Sequence, residues 1–95
     1  MNQIMPTDKM SVEIMYFGRV SEFLLMTSER MDVPKALPTL RHVLGRLRSR
    51  GERWAYELDD SHVICTVNHT PAALTANIDE GDEIGIFSRK SIFEM

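Results

Sequence analysis

Hydrophobic and polar positions alternate strictly from Ser11 to Phe17. Val12, Ile14 and Tyr16 fall on one side and Glu13, Met15 and Phe17 on the other, the period of a half-buried strand, which Gly18 ends. Val20 to Leu25 suits a short helical turn, and Glu29 to Val33 a second strand in which Met31 and Val33 share a face. After Pro34, Leu37 and Pro38 the period changes. Leu40, Val43, Leu44 and Leu47 stand at i, i+3, i+4 and i+7, the buried stripe of a helix, with Thr39 as its N-cap and Gly51 at its end. His42 occupies the place where a capping box has Glu or Gln, so a single rather than a reciprocal cap is expected. Glu52 to Leu58 predicts a further helical turn that tucks Trp54 and Leu58 under the core, and Asp59-Asp60-Ser61 a turn. Alternation returns over His62 to Asn68, placing Val63, Cys65 and Val67 inward and Ile64 and Thr66 outward. Residues 71–77 form a turn or edge strand, and Ile78 leads into the acidic glycine turn Asp79-Glu80-Gly81-Asp82. In the closing strand Ile84 and Ile86 face one way and Glu83, Gly85 and Phe87 the other. Residues 1–10, which contain Pro6 and no periodicity, read as a disordered extension, residues 11–87 as one domain and residues 88–95 as a tail.

The 95 residues leave room for one modest core and no second domain. No apolar run approaches the ~20 residues of a membrane span, the first residues lack a leader pattern, and Cys65 has no second cysteine to pair with. A cytoplasmic protein is expected. The net charge of −3 is unevenly spread: Arg41, Arg46, Arg48, Arg50 and Arg53 crowd the main helix and its end, while the stretch from Trp54 to Ser88 holds acids and no Lys or Arg. The arginines read as a solvated face favoured by the helix dipole, against the alternative of nucleic-acid binding, for which stacking aromatics are too few. Cys65, inside an alternating strand, reads as a buried and inert thiol. Phosphate loops, zinc-ligand spacing and nucleophile motifs are all missing, so neither a metal, a cofactor nor an autonomous active site is expected.

The order strand, strand, helix, strand, short strand, strand is that of an α+β, ubiquitin-like β-grasp domain, one main helix packed on a mixed sheet of four to five strands. The runs Val12-Glu13-Ile14-Met15-Tyr16-Phe17-Gly18-Arg19-Val20-Ser21-Glu22, Arg53-Trp54-Ala55, Val67-Asn68 and Gly81-Asp82-Glu83-Ile84-Gly85-Ile86-Phe87 resemble the molybdopterin synthase small subunit (MoaD) and its relative ThiS, the thiamine-pathway sulfur carrier. The resemblance covers Ser11 to Phe87. It implies a first and last strand that lie parallel and adjacent. It also implies two partners, the large subunit of molybdopterin synthase and an activating enzyme resembling ubiquitin activators, which converts a terminal Gly-Gly carboxylate into a thiocarboxylate.

The partner-binding surface that the resemblance implies uses Phe17, Phe87 and Pro71, and strand parity adds Met15. The alternative is that the tail folds back through Ile92 and Phe93 and covers that surface. In place of Gly-Gly this chain has Ser88-Arg89-Lys90-Ser91-Ile92-Phe93-Glu94-Met95, and none of its five glycines are adjacent. A carboxylate on Met95, behind Phe93 and Glu94, is not expected to accept sulfur. Two functions follow: a sulfur-carrier relative, diverged at its tail, in molybdenum cofactor biosynthesis, or a non-catalytic ubiquitin-like interaction module.

Overall fold

The computed structural model describes residues 9–89. Eight elements follow one another: β1 (Lys9–Phe17), α1 (Arg19–Leu24), β2 (Ser28–Pro34), α2 (Leu40–Arg48), α3 (Glu52–Glu57), β3 (Val63–Val67), β4 (Thr70–Ala72) and β5 (Glu83–Ser88). The strands form one five-stranded sheet in the order β2-β1-β5-β3-β4. β1 and β5 pair in parallel at its centre, and every other neighbour is antiparallel. This is the mixed β-grasp sheet that the element order predicts.

The core lies between one face of the sheet and α2. Leu40, Val43, Leu44 and Leu47 are fully buried against Val12, Ile14, Tyr16, Val63, Cys65, Ile84 and Ile86. Burial of one such aliphatic side chain contributes about 1.5–3 kcal/mol, so this stripe and layer hold the helix on the sheet. Val67, expected in the same layer, is only half-buried, because β3 ends there in a hairpin turn. β1 also starts two residues before Ser11. Met10, which the sequence pattern leaves in the N-terminal extension, is buried opposite Val33, and Lys9 pairs with Pro34.

The start of α2 corrects one expectation. Thr39 holds the N-cap position in an extended conformation, yet its side chain makes no cap bond; the hydroxyl lies 2.7 Å from His42 Nδ1. The N–H groups of Leu40 and Arg41 donate instead to the carbonyls of Ala76 and Leu74, both at 2.9 Å. A loop distant in sequence thereby satisfies groups that a helix leaves unpaired. Gly51, expected to close α2, stands at the N-cap position of α3, while Ser49 follows α2 directly.

Below the core, the junction of α2 and α3 is tied to the sheet edge by a polar cluster. Glu29, on the inner face of β2 with Met31 and Val33, accepts a 2.5 Å hydrogen bond from the Tyr16 hydroxyl and two from Arg50, at 2.7 and 3.0 Å. The Arg50 guanidinium lies 4.6 Å from the Trp54 ring centre, and Trp54 meets Tyr16 edge to face. Burial alone raises the Glu29 carboxyl, but the hydrogen bonds from Arg50 and Tyr16 and the guanidinium charge outweigh it and hold the pKa below the ordinary value. Burial first, and then the bond to Glu29, push the Tyr16 phenol far up, so it stays a donor.

Candidate docking face

Residues paired across a sheet share a face, so the register assembles the surface opposite α2 row by row. Phe17 pairs with Phe87, and Phe87 with Ile64, which makes one apolar row across three strands. The next row runs Met15, Gly85, Thr66, Pro71 across four. A third is polar: Arg30 beside Glu13 and Glu13 beside Glu83, with an Arg30 to Glu13 ion pair at 3.7 Å and His69 3.8 Å from Glu83. An apolar row, a mixed row with Met15 and Pro71 at its ends, and a charged row beyond them make a candidate for an apolar centre inside a polar rim.

The first row is led by aromatic rings. Phe17 and Phe87 stack with centroids 4.5 Å apart and planes 9° from parallel, and Phe17 remains 37% exposed. The sheet ladder continues one step beyond β5, where the Arg89 N–H donates to the His62 carbonyl at 2.8 Å. The chain therefore leaves the sheet at the end where Phe17, Phe87 and Ile64 stand.

Met15, Phe17, Pro71 and Phe87, named from the sequence, are thus brought together on one surface. Ile92, Phe93 and Met95 lie outside the described residues. The sequence reading missed Ile64, Thr66 and Gly85 as members. Alternation already pointed all three outward, but the neighbours they meet are set by the pairing of β5 with β1 and β3, which no local pattern carries.

Other candidates resolve into structure. Arg41 and Arg48 pair with Asp60 at 3.3 and 3.0 Å, Arg50 is committed to Glu29, and Arg53 donates to the Phe23 carbonyl. Those four arginines brace the fold. Cys65 is buried between Ala72 and Ile86, and burial, helped by the Asp60 charge, pushes its thiol up to about 12.

In the acidic turn, Asp82 accepts from the Asp79 N–H at 2.8 Å and from Asn68 Nδ2 at 2.9 Å. Asn68 Oδ1 accepts from the Glu83 N–H at 3.0 Å. Asn68 and His69 have φ of 51° and 72°, the two left-handed positions of a tight hairpin turn, which Asn tolerates well. No helix among the described residues is long and apolar enough to cross a membrane.

Comparison with known proteins agrees with this geometry. The chain is 25% identical over 76 residues to the molybdopterin synthase sulfur carrier subunit of Escherichia coli, an alignment covering 80% of this chain and 91% of that protein. Among solved structures, the HVO 2177 protein of Haloferax volcanii superposes with a TM-score of 0.75 at 21% identity, covering 92% of this chain and 90% of the other. SAMP1 of the same organism superposes at 0.70 with 25% identity, covering 82% and 93%. The ThiS family model matches residues 14–88, from the centre of β1 to the end of β5, and the chain belongs to this family of ubiquitin-like sulfur carriers.

Proposed function

We propose that this chain is a docking subunit of the molybdopterin synthase type, acting in molybdenum cofactor biosynthesis, whose outer sheet face seats a larger partner enzyme. The partner is the large subunit of the synthase, and the activating enzyme that serves such carriers uses the same face. The observation that carries this reading is the solvent-facing stack of Phe17 on Phe87, flanked by Met15, Ile64 and Pro71 and bounded by charge. The 25% identity to a sulfur carrier subunit supports the choice of partner. A lone reduced Cys65 suits a reducing cytoplasm. Residues 88–95 contain no glycine, and Ile92, Phe93 and Glu94 put bulk and charge where a bare tail threads a narrow channel. This composition supports docking without sulfur transfer through that segment.

The test is titration of the purified chain into the large subunit by calorimetry. Phe17→Ser combined with Phe87→Ser is expected to abolish binding while the circular dichroism stays native; unaltered binding refutes the docking face. Incubation with the activating enzyme, ATP and a sulfur donor, read by mass spectrometry, is expected to leave residues 88–95 unmodified. A variant with a short spacer and Gly-Gly after Phe87 is expected to be converted.

A second reading, a ubiquitin-like interaction module outside this pathway, is favoured by the equal identity to SAMP1, whose name as a small archaeal modifier protein points to a different use of the fold. A pull-down from the native cell separates the two. Recovery of a synthase large subunit supports the first, and its absence beside another protein lost with the Phe17 and Phe87 substitutions supports the second.

A further inference from the structure

We propose that Gly85, with Thr66 beside it, is the positioning residue of the docking face: the missing side chain sets the pitch of the two phenylalanine rings and so pre-forms the ridge that a protein partner covers. The inference rests on the docking reading above. Gly85 sits in the central strand, on the outer face, between Met15 and Thr66. Its φ is not among the positive values found at Gly18, Gly51 and Gly81, so its backbone does not require glycine. Space does. A Cβ at this position would lie 2.5 Å from Thr66 Oγ1 and 3.3 Å from both Phe17 Cε2 and Phe87 Cε1.

These three contacts come from three sides. Thr66 reaches in from β3, Phe87 leans back from two residues further along β5, and Phe17 leans in diagonally from β1. That is why Gly85 is buried although it faces away from the core. Both rings use the vacancy, and because they are stacked at 4.5 Å a shift of one displaces the other. A side chain at 85 drives the Thr66 hydroxyl aside and lifts the rings together, which changes the height and tilt of the apolar row. A partner that meets a pre-formed ridge does not spend binding energy on ordering it. Aromatic cover over a strand glycine also serves sheet stability, and that role alone leaves the affinity of the folded chain untouched.

The experiment compares Gly85→Ala, Thr66→Ala and the double variant with the unaltered chain. Three quantities are read: thermal unfolding, the NMR shifts of the Phe17 and Phe87 ring protons, and affinity for the purified synthase large subunit by calorimetry. Gly85→Ala is expected to move the ring shifts and weaken binding about tenfold or more. The double variant, which removes the 2.5 Å contact but keeps both 3.3 Å contacts with the rings, is expected to regain thermal stability while the ring shifts and the affinity stay changed. Unchanged ring shifts in Gly85→Ala overturn the proposal, as do changed shifts with unchanged affinity. If Gly85→Ala does not fold, the double variant decides: restored folding with moved ring shifts and weakened binding supports the proposal, and restored folding with native ring shifts and near-native affinity overturns it. An unaltered chain that does not bind the large subunit refutes the docking reading, and the link to affinity with it, whereas the ring shifts alone still decide whether Gly85 sets the stack.

Discussion

Arg50→Met tests the cluster that fastens the helices to the sheet edge. The substitution keeps the aliphatic bulk and leaves Glu29, whose side chain is 19% exposed, with only the Tyr16 hydroxyl as side-chain donor among the described residues. Breaking a fully buried ion pair costs about 3–5 kcal/mol and breaking an exposed one about 0–1. With Arg50 33% exposed and the bond bidentate, roughly 2 kcal/mol is expected for the pair. The lost contact with Trp54 adds roughly 0.5–1 kcal/mol. A total of roughly 2–3 kcal/mol lowers Tm by about 10–20 °C in a domain of this size.

The pH dependence gives the second half of the test. Glu29 has a folded pKa below its unfolded value, so the pair's stabilisation is complete above the ordinary 4.5 and is lost as acid takes the pH down through the folded value. Without Arg50, burial raises that pKa instead, and acid relieves a buried charge. The stability gap between the two proteins is therefore expected to narrow steadily below pH about 4.5 in urea unfolding. A gap under about 0.5 kcal/mol at neutral pH, or one that does not shrink in acid, refutes the assignment.

Asn68→Ala removes two side-chain hydrogen bonds and puts a Cβ without a polar group at φ 51°; a loss of about 2 kcal/mol is expected in urea unfolding, with Asn68→Gly recovering only the backbone part. Cys65, whose thiol is pushed up to about 12 by burial, is expected to react with a thiol reagent at pH about 8 only as fast as the chain unfolds, and at once in denaturant. Rapid labelling of the folded protein contradicts the buried placement.

The parts of this fold that were legible are those fixed by local period. The Leu40 stripe repeats at 3.6 residues, and Ile14, Ile84 and Ile86 repeat at two, so helix, strands and core face could each be read from a single window. What escaped depends on distant partners. β1 extends to Lys9 because Val33 supplies a neighbour for Met10, and Thr39 loses its capping role because the 74–76 loop brings carbonyls to the helix. Glu29 shares the parity of Met31 and Val33, but its inward placement was not read, because its cation lies 21 residues on, at the end of a helix where an arginine already has a reason to be. On the docking face the facing of Phe17 and Phe87 was legible. A gap at Gly85 open to a ring was legible too; which rings fill it, and their stacking, arise from register.

That register has an identifiable source, and it links the family motif to the face. Val67-Asn68 and Gly81-Asp82-Glu83-Ile84, through which the resemblance is recognised, lie some 15 residues apart in sequence yet bond directly: Asn68 holds the Asp82 carboxylate and the Glu83 N–H, and its own N–H donates to the Glu83 carbonyl at 2.7 Å. Three bonds at the mouth of the β3 and β5 pair set which residues oppose each other along its length, and so place Thr66 beside Gly85 and Ile64 beside Phe87. A slip of one residue turns β5 over, bringing Phe87 inward and Ile84 and Ile86 into water, at a cost of about 1.5–3 kcal/mol for each isoleucine. The turn and the core therefore select the same pairing. The motif acts as a framing device: it fixes the outer sheet face proposed for docking whether or not the segment beyond β5 carries a reactive end, and changes after Ser88 are expected to leave the geometry of Phe17, Gly85 and Phe87 intact.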